Sequence, residues 1–223
     1  MPEQGPDWNT HLAREKARYR DGQERLPTDD RDARQRQLTR LGNAAGGAGL
    51  ALLMQGEPEQ AARWFRRAAE RYRESFDDAP PESWGRPIGA LKARILGGDW
   101  EGAAADARWA LDAGAASSAS PIGRYAAALA ALVVGDDDAA RAHADAIRAR
   151  DDFPRPVGEA LAFIAGGDLD GYTEALEQVL ESFERRTDYL EDMPVADTVL
   201  VLQALAHRRG LDIRLESPLL PRR

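Results

Sequence analysis

Four times along this chain a glycine followed by an acidic residue ends an apolar stretch and opens an amphipathic one: Gly56-Glu57-Pro58, Gly98-Asp99-Trp100, Gly135-Asp136-Asp137 and Gly167-Asp168-Leu169. Glycine just past a helix adopts the left-handed conformation that closes a C-terminus. An acid beside it suits the next N-terminus, where backbone N–H groups lack partners. Each unit therefore predicts a helix, a tight reversal and a second helix. A chain reversed repeatedly in this way reads as all-α, a stack of antiparallel helical hairpins.

The segments after the reversals share a face. Five residues beyond each glycine stand Ala61, Ala103, Ala140 and Tyr172; nine beyond stand Phe65, Ala107, Ala144 and Leu176; twelve beyond stand Ala68, Ala110, Ile147 and Val179. Steps of four and three place these on one side of a helix, and small side chains there let a paired helix approach closely. The pattern resembles the tetratricopeptide repeat, most closely over 49–70, and implies a tetratricopeptide-like α-solenoid. The glycines are separated by 42, 37 and 32 residues, against about 34 in a strict array.

Residues 1–29 read as an N-terminal helix and linker, and 30–223 as a single helical-hairpin repeat domain. Helices are expected over about 8–20 and 30–54, with Thr28 or Asp29 capping the second. Gly42, Gly46 and Gly49 form a bald stripe suited to close helix packing. The last helix is expected from Pro194 to His207, stopped by Gly210. Beyond it Leu211, Ile213 and Leu215 alternate with polar residues, which predicts a short extended tail.

The net charge of −8 argues against broad affinity for nucleic acid or anionic lipid, since a polyphosphate needs concentrated positive potential. The chain has no cysteine, which excludes disulfides, thiolate nucleophiles and cysteine-ligated zinc. Met1 to Asn9 has no apolar core of a signal peptide, and Val195 to Ala206 is too short and too polar for a bilayer span. A cytoplasmic protein with no membrane association is expected.

No residue pattern in the chain supplies a reaction centre. The histidines, His11, His143 and His207, share no helix-facing spacing. The glycine-rich run 41–49 lacks both the Lys-Ser/Thr ending and the preceding strand of a phosphate loop, so it reads as helix packing. Asp136-Asp137-Asp138 lacks the alternating ligands and distal glutamate of a calcium loop, and reads as a helix cap. Arg63, Arg66, Arg67, Arg71 and Arg73 interleave with Glu59, Glu70 and Glu74, a paired and solvated face. No catalytic residue, metal or cofactor is assigned, and the chain is expected not to be an enzyme.

One surface stands out as a candidate for binding a partner protein. Glu174, Glu177, Glu181 and Glu184 form a carboxylate row opposite Tyr172, Leu176, Val179 and Phe183. Asp170 and Asp188 lie at its two ends, and Asp168, Glu191 and Asp192 extend the acidic region. A row of this kind is either a solvated face or a docking surface for a basic partner, whose approach charge complementarity accelerates.

The C-terminal quarter adds a resemblance. An acidic loop, a helix carrying Tyr172, Ala175 and Leu176, the apolar stretch 199–206 and then Gly210, Glu216-Ser217 and Leu220-Pro221 look like the end of immunity 49 family proteins. The resemblance implies a protein of a polymorphic toxin system that neutralises a cognate toxin by stoichiometric binding, with no catalytic residues. The alternative reading is a tetratricopeptide-like adaptor that holds a peptide in a concave groove.

Overall fold

The computed structural model describes residues 6–222; of the stretch Met1 to Asn9 read above as lacking a signal peptide, the first five residues lie outside them. Ten α-helices follow one another: α1 (Trp8–Glu24), α2 (Arg31–Met54), α3 (Pro58–Glu74), α4 (Gly85–Leu96), α5 (Trp100–Asp112), α6 (Pro121–Val134), α7 (Asp137–Arg148), α8 (Arg155–Gly166), α9 (Leu169–Glu184) and α10 (Asp197–His207). There is no strand among the described residues. The chain is an all-α stack of helical hairpins.

All four expected reversals form, and by one mechanism. Gly56, Gly98, Gly135 and Gly167 have φ of 78, 67, 83 and 68°. In each case the N–H two or three residues past the helix bonds back to a carbonyl five residues earlier: Glu57 to Leu52 at 2.9 Å, Asp99 to Arg94 at 3.0 Å, Asp136 to Ala131 at 2.9 Å and Asp168 to Phe163 at 3.0 Å. This six-to-one closure satisfies carbonyls that the helix end would leave bare. Asp99, Asp136 and Asp168 then cap α5, α7 and α9 by accepting from Gly102, Ala139 and Gly171. Glu57 makes no side-chain cap; Pro58, which has no N–H, opens α3 instead. A fifth closure of the same kind, Leu211 to Ala206 at 3.1 Å, ends α10 at Gly210.

At Gly98 a built Cβ would meet nothing within 4 Å. The cost of a side chain there is therefore conformational, not steric. Gly98→Val is expected to lower stability by about 1–3 kcal/mol through its left-handed φ, measured by urea unfolding; a value near zero would mean the turn does not need glycine.

The twelve face positions named from the sequence are all buried, none more than 1% exposed. Their mates come from the preceding helix of each hairpin. In α2, Gly42 and Gly49 take the rings of Tyr72 and Phe65 so closely that a Cβ would stand 2.8 and 2.7 Å from ring carbons. Gly46, between them, faces open space. The bald stripe thus serves close packing at two of its three glycines.

Which helices line the inner side follows from lateral neighbours. α2 touches α4, α4 touches α6 and α6 touches α8, while the odd-numbered helices have no comparable lateral contacts. The stack therefore curves with α2, α4, α6 and α8 inside and α3, α5, α7 and α9 outside. α1 packs on α2 and carries Tyr19 and Leu12 into its core.

Two details depart from the sequence pattern. Asp30, not Thr28 or Asp29, caps α2, accepting from the Ala33 N–H at 2.8 Å. α10 begins at Asp197, not Pro194. The Ala196 N–H is taken at 3.0 Å by the Leu219 carbonyl, so the returning tail fixes where the helix starts. The tail itself alternates as expected: Leu211 is buried and Asp212 exposed, and Ile213 and Leu215 are half-buried between exposed Arg214 and Glu216.

Candidate functional site

α9 is the last outer helix, held on its apolar side by α8 and α10. Tyr172, Leu176, Val179 and Phe183 point into the core, so helical geometry turns Asp170, Glu174, Glu177, Glu181 and Glu184 outward, and all five are exposed. Asp188, in the loop beyond, is exposed too. Glu181 pairs with Arg185 at 2.9 Å, one turn on, and Glu184 accepts from the Ser217 hydroxyl at 2.7 Å. Asp170, Glu174, Glu177, Glu184 and Asp188 have no ion-pair partner within salt-bridge distance among the described residues. The structure thus brings the five carboxylates of α9 named from the sequence to one face and leaves Asp188 exposed in the loop that follows it.

Glu191 and Asp192 do not continue that face together. Glu191 turns inward from a left-handed backbone (φ 55°) and binds Asn43 of α2 at 3.0 Å and Arg18 of α1. Burial opposes its charge, but the hydrogen bonds from Arg18 and Asn43 hold its carboxyl below the usual range. Its carbonyl also accepts from Arg14 at 2.6 Å. Asp192 stays exposed, 3.7 Å from Arg14. Local pattern placed both residues with the acidic row, but it carries no information about Asn43 and Arg18, 148 and 173 positions away, which capture one of them.

The C-terminal motif has a docking role. Gly210, at φ 73°, turns the chain off α10. Ser217 reaches Glu184 and also accepts from the Leu219 N–H at 3.3 Å. Leu219 and Leu220 are buried in the main core. Pro221 is half-buried and Glu216 exposed, both beside a cavity of about 780 Å³ bounded by α2, α4, α10 and the tail. The motif fastens the tail to α9 and α10.

The inner side of the stack is occupied by the chain itself. α10 lies against α4 and α8. Met193 and Val195, from the connecting segment 185–196, pack with Ala51, Trp8 and Leu12. Lys92 of α4 pairs with Asp197 at the start of α10 and donates to the Thr198 hydroxyl at 3.2 Å. Burial disfavours the Lys92 ammonium, and Asp197 more than restores it, leaving its pKa raised. The sequence held a signal for this site that periodicity passes over: Lys92 is one of two lysines in a chain whose other basic residues are arginine.

Among the described residues no cluster of three or more acidic or histidine side chains is arranged to hold a metal ion. No helix among them is long and apolar enough to cross a membrane. Compared with known proteins, the chain matches no family model, no curated protein and no solved structure. What the geometry defines is a class: a stack of helical hairpins whose inner groove is crossed by its own C-terminal segment and whose last outer helix bears an acidic row.

Proposed function

We propose that this chain acts by stoichiometric protein binding, as an immunity-type protein whose outer α9 face caps a basic surface of a cognate toxin. The observation that carries this reading is the exposed row of Asp170, Glu174, Glu177, Glu181, Glu184 and Asp188, with five of its six carboxylates lacking a cationic partner among the described residues. Such a surface favours a positively charged partner, speeds its approach and weakens with added salt. The resemblance of the C-terminal quarter to the immunity 49 family supports the same role. The adaptor alternative receives less support, because α10 and Met193–Val195 occupy the groove in which a peptide would lie.

The test begins with the gene adjacent to this one. Its product, expressed alone, is expected to arrest growth, and co-expression with this chain to restore it. The double charge reversal Glu177→Lys and Glu181→Lys is expected to weaken the purified complex about tenfold or more, mostly in the association rate at low salt, with the circular dichroism spectrum unchanged. Unchanged affinity would remove the acidic face from the proposal, and the lack of any complex with a neighbouring gene product would remove the immunity role.

A further inference from the structure

A cavity of about 550 Å³ lies between α2 and α4 on one side and the segment 183–198 on the other, within the range of about 300–1,000 Å³ typical of small-molecule sites. Its floor is bare by sequence. Gly46 and Gly85 both line it, and a Cβ at either would meet nothing within 4 Å. Gly46 stands in the middle of a 24-residue helix, where alanine would be more stable by about 1 kcal/mol. Gly42 and Gly49 in the same stripe are filled by aromatic rings, so the open space at Gly46 is local to the cavity.

The lining combines apolar walls, among them Leu50, Ile88 and Leu96, with a set of charges that do not all cancel. Lys92 is paired with Asp197, and Glu191 with Arg18. Arg86 and Arg186 remain without a carboxylate among the described residues. Arg86 donates through Nη2 to the Gln35 side chain, while its Nε is buried with no acceptor. Burial alone lowers its pKa, and no acid offsets that burial. Arg186 sits over the Phe183 ring, 3.7 Å from its centroid. Neither guanidinium has a carboxylate to neutralise it, and a carboxylate is the planar acceptor that matches guanidinium donors. With Lys92 and Glu191 each paired, Arg86 and Arg186 leave the cavity with a positive excess that suits an anion.

We infer that this cavity binds a small apolar carboxylate, its anionic head on Arg86 and its hydrocarbon body over Gly46 toward Leu50 and Ile88. The site is on the inner side of the stack, away from the α9 face, so it stands or falls separately from toxin binding. A free small molecule fits better than a peptide terminus, because segment 185–196 is tied across this side through Glu191 to α1 and α2.

The test uses the full chain and decanoate, with decanol as the uncharged control, followed by titration calorimetry and thermal unfolding. Decanoate is expected to bind one to one and raise Tm, and decanol to bind about tenfold or more weakly, reflecting loss of a charge-assisted hydrogen bond. Arg86→Gln should reduce decanoate affinity by a similar factor. Gly46→Leu, which places a side chain in the open space, should abolish binding while the protein stays folded, and it probes the site independently should Arg86→Gln fail to fold. Equal binding of decanol and decanoate, undiminished binding to Gly46→Leu, or no saturable binding across octanoate, decanoate and dodecanoate would each overturn the inference.

Discussion

Asp106→Ala is expected to destabilise the protein by about 3–5 kcal/mol, because it strips the carboxylate from a buried ionic junction. Asp106 lies on α5 with its side chain 2% exposed, between Arg73 of α3 at 2.6 Å and Arg94 of α4 at 3.1 Å. Three helices of consecutive hairpins thus meet on one carboxylate. Arg94 has a second partner in Asp99 at 2.6 Å, and Arg73 is partly exposed and stacks on Trp109. Those supports place the loss toward the lower end of the range. Urea unfolding measures it directly. Asp106→Asn, which keeps the shape and one acceptor, should lose less; equal losses for the two variants would mean that packing, not charge, holds the junction.

Phe65→Ala should cost about 3–5 kcal/mol, the usual range for deleting a buried aromatic ring. Phe65 is 1% exposed and rests on Gly49, with Gly97 against its Cβ. The depth of a cavity penalty depends on how well neighbours collapse into the space. Here the facing residues are glycines with no side chain to swing inward, and the vacated volume would join the cavity that Phe65 already borders. The loss should therefore fall in the upper half of that range, read from the unfolding midpoint with the denaturant slope unchanged. A loss below about 2 kcal/mol would mean the hairpin α2–α3 can close over the gap.

Much of the architecture was legible in the residues. The four reversals form at the named glycines, and the twelve face positions are buried, because both features are local. A left-handed closure involves six residues, and a helical face repeats every three or four. The acidic row of α9 was legible for the same reason: once Tyr172, Leu176, Val179 and Phe183 are inside, the glutamates on the other side must be out. Glu191 was misplaced, and α10 was begun three residues early. In both cases the deciding partner is distant in sequence: Arg18 and Asn43 for the first, the Leu219 carbonyl for the second.

By itself, then, the sequence determined that this chain is a succession of capped helices with one apolar side each, since helix ends and faces are set by neighbours a few positions apart. Tertiary structure alone decided that the C-terminal helix returns to the inner side of the stack, that Lys92 and Asp197 meet there, and that space is left over Gly46. Those outcomes depend on how successive hairpins add their curvature and on which distant charges can be buried together, and no short-range pattern encodes either.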